Sequence, residues 1–151
     1  MNKQAKAARP RLVGINHVAL EVGDVDEALA FYGRIFAFTL RGRGKAQAFI
    51  DIGDQFLALM EMKTPHRDGG RHFGLVVDDR SEVRRLAKEA GAEMLSGPFL
   101  DFLDPWGNRI EVVEYADIQF SKTPQVLRAM GLDLPKNSKA LKELADKGVT
   151  P

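Results

Sequence analysis

The sequence predicts an α+β protein made of two copies of one strand–helix–three-strand (βαβββ) module, followed by a short helical tail. Three observations predict it. An ungapped shift of 55 residues sets "HVALEVGDVDE" (His17 to Glu27) on "HFGLVVDDRSE" (His72 to Glu82). Continued to Leu40 and Leu95, the alignment has seven identities in 24 pairs, and they fall at matching strand, cap and helix positions. Later strand-like runs match as well, "FIDI" (Phe49 to Ile52) with "FLDF" (Phe99 to Phe102) and "LALME" (Leu57 to Glu61) with "IEVVE" (Ile110 to Glu114).

The elements follow in order. "GINHVALEV" (Gly14 to Val22) has Ile15, Val18, Leu20 and Val22 in a β-branched run, which reads as a strand. Asp24 and Asp79 are natural N-caps, and Glu27 and Glu82 hold the capping-box position. The first helix sets Ala28, Leu29, Tyr32, Ile35 and Phe36 on one stripe. The second sets Val83, Leu86, Ala87 and Ala90 on one, with Gly91 as its stop. Predicted strands follow at Thr39–Arg43, Ala46–Ile52 and Gln55–Met62 in the first half. In the second half they are Glu93–Ser96, Phe99–Leu103 and Arg109–Tyr115, with "DPWGN" as a turn. In the tail, Thr123 caps a helix with Pro124 at its first position and Gly131 as stop. Ser138 caps another that Gly148 ends. The expected organisation is a disordered basic tail over 1–12, a two-module domain over 13–115 (modules 13–62 and 70–115), and a helical extension over 116–151.

Composition narrows the function classes. The 151 residues hold no cysteine, so disulfides, thiolate metal sites and a cysteine nucleophile are excluded. His, Asp and Glu remain as strong metal ligands. The charge is balanced at 22 basic and 21 acidic side chains, which gives no electrostatic footprint for nucleic acid. No apolar run approaches the ~20 residues of a membrane span. The start, "MNKQAKAARPR", is not a secretory signal, and a cytoplasmic protein is expected.

Two histidines, His17 and His72, stand at repeat-equivalent strand positions. Glu111 sits in an apolar strand, where a carboxylate is costly unless paired or bound to a metal. Its repeat partner is Ala58. Together these residues form a 2-His-1-carboxylate set that leaves coordination positions open. Strand alternation puts Glu61 and Glu114 on the opposite face, where both are read as solvated. Glu21 is read as a rim residue, His66 as a loop residue, and Trp106 as packing. Asp51 and Asp101 match across the repeat and are assigned a shared structural role. Phe49, Met60 and Phe102 are candidate walls of a pocket for an organic ligand.

The stretches "NHVALEVGDVDEALAFY", "RHFGLVVDD" and "DPWGNRIEVVEY" resemble the vicinal oxygen chelate superfamily of glyoxalases, bleomycin-resistance proteins and extradiol dioxygenases. The resemblance implies paired βαβββ modules whose mixed sheets curl into a cup around a divalent ion. It places the family's metal ligands on His17, His72 and Glu111 and the glyoxalase-type fourth ligand on Ala58. That departure points away from an ordinary glyoxalase and toward ring-cleaving dioxygenases or fosfomycin-modifying transferases. The cofactor implied is a divalent iron, manganese, zinc, nickel or cobalt ion. The partners implied are a small-molecule substrate and a second copy of the chain, with no nucleic acid or membrane. The alternative function is a metal-free binding protein that sequesters a drug or metabolite, as bleomycin-resistance members do.

Overall fold

In a computed structural model, residues 15–149 are described. The expected basic tail over 1–12 lies outside them. Strand β1 (His17–Val22) leads into helix α1 (Val25–Ile35), then β2 (Leu40–Arg43), β3 (Gln47–Asp51) and β4 (Phe56–Glu61). The second half repeats this with β5 (Phe73–Val77), α2 (Arg80–Glu89), β6 (Glu93–Met94), β7 (Leu100–Leu103) and β8 (Arg109–Glu114). A 3-10 turn (Tyr115–Asp117), α3 (Pro124–Ala129) and α4 (Ser138–Asp146) complete the described chain. No described helix is long and apolar enough to cross a membrane.

The strands form two four-stranded mixed sheets, ordered β1-β4-β3-β2 and β5-β8-β7-β6. In each, the first strand runs parallel to the last and the remaining pairs are antiparallel. Asp24 and Asp79 cap the two helices by accepting from the backbone N–H groups of Glu27 and Glu82. The Glu82 side chain pairs with Arg85 on its own helix.

Among the described residues, strand alternation gives each sheet a face covered by helices and an uncovered face. Leu20, Val22, Leu57, Leu59, Ala48 and Ile50 pack beneath α1 residues such as Ala28, Phe31 and Tyr32. Leu100, Phe102, Ile110 and Val112 join Val83 and Ala87 of α2 in the same core. Phe102 is therefore a core residue at 0% exposure, not a pocket wall. It pairs in register with buried Ile110, and that register sets its phase. Glu114 also departs from its solvated reading. Its carboxylate accepts from Arg80 N at the start of α2, at 3.3 Å, where the helix dipole favours a negative charge.

The extension docks on its own chain. Lys122, almost fully buried, pairs with Asp54 in the β3–β4 turn. The Lys136 ammonium donates to the carbonyls of Tyr115, Ile118 and Phe120 and lies 3.3 Å from the Tyr115 ring centroid. Thr123 caps α3 as expected, whereas α4 is capped by Asn137, which accepts from Ala140 N.

Candidate metal centre

His17 opens β1 with its side chain on the uncovered face. Its ring stacks on Phe56, its register partner on β4, at 4.6 Å between centroids and 8° between planes. Its Nδ1 lies 2.9 Å from Asn16 Oδ1, which leaves Nε2 for a ligand. Ala58 pairs with Ala19 on one side and Phe49 on the other. Met60 pairs with Glu21 and Gln47 on that same face.

The second sheet repeats this plan with different side chains. Glu111 pairs with Gly74 and Asp101, so Ala58 is its counterpart, as the repeat predicts. The counterpart of Asp101 is Phe49, not Asp51. The two turns before β4 and β8 differ in length, which shifts register between the similar tetrapeptides. Asp51 accepts from Gly53 N in its own turn, while Asp101 pairs with Arg109. Asp101 Oδ1 is buried without a hydrogen-bond partner among the described residues.

His72, just before β5, places Nε2 3.3 Å from Glu111 Oε2. Its Nδ1 lies 3.0 Å from the Gly70 carbonyl. A carbonyl only accepts, so Nδ1 carries the hydrogen and Nε2 is the nitrogen turned to the carboxylate. Beside the pair is a cleft of about 230 Å³, lined in part by Ala19, Glu21, His66, Arg71 and His72. Glu21 and His66 are thus near one half of the predicted site.

A buried network positions this half-site, and the sequence reading missed it. Asp104 Oδ1 accepts from the backbone N–H groups of Trp106 and Asn108, both at 2.9 Å. Oδ2 accepts from Tyr32 Oη and from Asn108 Nδ2, both at 2.7 Å. Asn108 Nδ2 also donates to the Glu21 carbonyl. The start of β8, which carries Glu111, is thereby tied to α1 and to the end of β1. Burial pushes the Asp104 carboxyl above the usual aspartate range, and burial with the nearby Asp104 charge pushes Tyr32 well up. Trp106 packs edge-on to Phe31 at 6.3 Å, the packing role expected of it.

The donors fit a divalent ion. Two ligands bound at about 2.0–2.2 Å stand roughly 3.0–3.4 Å apart at octahedral or tetrahedral angles, and His72 and Glu111 are already at that separation. The second-sphere bond at Nδ1 is the kind that orients a ligating imidazole. His17 is not part of this pair: among the described residues no three His, Asp or Glu side chains come together as an ion cage.

A family model described as the Glyoxalase/Bleomycin resistance protein/Dioxygenase superfamily matches residues 14–112. The chain belongs to this family, the vicinal oxygen chelate superfamily. It is similar to glutathione transferase FosA of Serratia marcescens, 24% identical over 113 residues, 67% of this chain and 80% of that protein. Metallothiol transferase FosB of Staphylococcus epidermidis is 26% identical over 115 residues, with coverage of 67% and 81%. Among solved structures, the fosfomycin resistance protein FosX of Listeria monocytogenes, in complex with Mn(II) and sulfate, has a TM-score of 0.60. It is 18% identical over 80% of this chain and 99% of that one. A possible glyoxalase from Bacillus cereus has a TM-score of 0.55 at 29% identity, with coverage of 68% and 99%.

Proposed function

We propose that this protein is a metal-dependent enzyme that acts on a small organic molecule with two adjacent oxygens. Its ion is held by His72 and Glu111 of one chain and His17 of a second copy, so the working unit is a homodimer. The observation that carries this reading is the His72–Glu111 pair. One imidazole, fixed through Nδ1, and one carboxylate meet at the separation of two ligands on one ion. His17 stands exposed on the other sheet, its Nε2 without a hydrogen-bond partner among the described residues. A second copy that sets its His17 face against this pair completes the three-ligand set.

A bound ion would act as a Lewis acid on the substrate's oxygens. The chain's residues do the rest. Gly70 fixes the His72 tautomer, and Phe56 fixes the His17 ring plane. Ala58 and Gly74, with no reach toward the ion, leave room for substrate oxygens beside it. Names of relatives support the metal: one is a metallothiol transferase, and FosX was solved with Mn(II).

Equilibrium dialysis of the purified protein against Mn(II), Fe(II), Co(II), Ni(II) and Zn(II) tests this reading. One ion per chain is expected for wild type, with severe loss in His72→Ala and Glu111→Gln. A wild-type protein that retains no ion, yet binds organic ligands, would favour the sequestering alternative.

A further inference from the structure

The uncovered face of the first sheet carries a cation that neither the fold nor the metal set uses. Arg41 and Arg43 are two residues apart on β2, but the strand is bulged between Leu40 and Gly42, and bulges re-aim side chains. Arg43 reaches Asp26 on α1 at 2.7 Å. Arg41 has no carboxylate within ion-pair distance among the described residues. Its guanidinium rests against Phe56, Cζ 4.7 Å from the ring centroid. Asp51, the register partner of Phe56, turns back to Gly53 N instead of pairing with it. A guanidinium stacked on an aromatic ring keeps its edge donors free for a planar oxyanion.

Phe56 is also the ring on which His17 stacks. His17 comes from β1 and Arg41 from β2, the two edges of the sheet, and both meet one ring on the strand beside β1. Phe49 stands edge-on to that ring at 5.7 Å, and Ala19, Ala58 and Met60 continue the face. His17 and Arg41 flank the Phe56 ring, so they stand no farther apart than the sum of their distances to it, a gap that one substituted aromatic ring can span between an ion held through His17 and an anion held at Arg41.

We infer that Arg41 is the specificity-determining residue of the site: it selects a planar aromatic or conjugated carboxylate whose adjacent oxygens bind the ion. This rests on the metal reading proposed above. Glu21, at the far end of the face from Arg41, keeps a second anionic group from that end.

The test uses full-length protein titrated first with Mn(II), then with 3,4-dihydroxybenzoate, catechol or fosfomycin, as wild type, Arg41→Lys and Arg41→Gln. Wild type should bind 3,4-dihydroxybenzoate about tenfold or more tighter than catechol, the size of a charge-assisted hydrogen bond partly open to solvent. Arg41→Gln should abolish that preference while leaving Mn(II) and catechol binding unchanged, and Arg41→Lys should retain part of it. Equal affinities on wild type, or a preference that survives in Arg41→Gln, overturn the proposal. So does Arg41-dependent binding of fosfomycin tighter than that of the dihydroxybenzoate. A protein that takes up none of Mn(II), Fe(II), Co(II), Ni(II) and Zn(II) fails the metal reading alone. In that case 3,4-dihydroxybenzoate binding to the metal-free protein decides Arg41, which is upheld if wild type binds it and Arg41→Gln does not, and overturned by any other result, including no binding to wild type.

Discussion

Tyr32 and Asp104 meet between the two modules, and burial governs both. Tyr32→Phe removes one of the partners of a buried carboxylate and should cost about 1–3 kcal/mol in urea denaturation. A pH dependence follows with a definite sign. Burial raises the folded-state pKa of Asp104 above its unfolded value. Between the two, the folded chain keeps a proton that the unfolded chain has released, so stability from this group falls as pH rises through that interval and is level above it. The stability difference between wild type and Asp104→Asn should trace this fall; a rise across the interval would count against it. The sequence showed Asp104 only as the start of a turn. A finer signal was present, an Asp whose side chain can serve backbone N–H groups two and four residues on, but nothing local says that Tyr32 will complete it. His72 and Glu111 are marked in the sequence by the repeat and by a carboxylate among apolar neighbours, and the structure sets the two side by side. Phe102 was misread because one residue of register decides which face a strand side chain takes.

At the scale of elements, helices and their Asp caps were readable from local chemistry, and most strand ends moved by a residue or so. The turn after β3 shows what local reading omits. Gly53 has φ +88°, and a Cβ there would stand 2.7 Å from Met130 Sδ and 3.0 Å from Val126 Cγ1 of α3. Gly53→Ala should therefore strain the turn and push α3 off it, costing about 1–3 kcal/mol. An unchanged melting temperature would show that α3 does not dock there. Ala58 tests the repeat itself. Ala58→Glu buries a carboxylate at a site only 3% exposed, so the metal-free variant should lose about 1–3 kcal/mol. Mn(II) should bind the variant more tightly and restore that loss. A variant that Mn(II) stabilises no more than wild type would break the equivalence with Glu111.

At the scale of the whole molecule, the two βαβββ units and their internal pairing were legible, because each follows from its own hydrophobic pattern. How the units face one another was not, since pattern fixes which side of a sheet is buried but not what covers the other. Within the chain they share one core through α1 and α2 and the Tyr32–Asp104 contact, and this leaves His17 apart from His72 and Glu111. The metal reading therefore stands or falls with the second copy. Sedimentation at micromolar concentration should find a dimer.

The most direct measurement mixes two variants that are each defective in metal binding. His17→Ala keeps an intact His72–Glu111 pair, and Glu111→Ala keeps an intact His17. After co-refolding, a mixed dimer has one complete site assembled from both chains and one site that lacks His17 and Glu111 and keeps only His72. Mn(II) binding should be absent in each parent and reappear in the mixture, at one ion per mixed dimer. A mixture that binds no more than its parents, or a His17→Ala protein that binds as wild type does, would contradict a site shared between two chains.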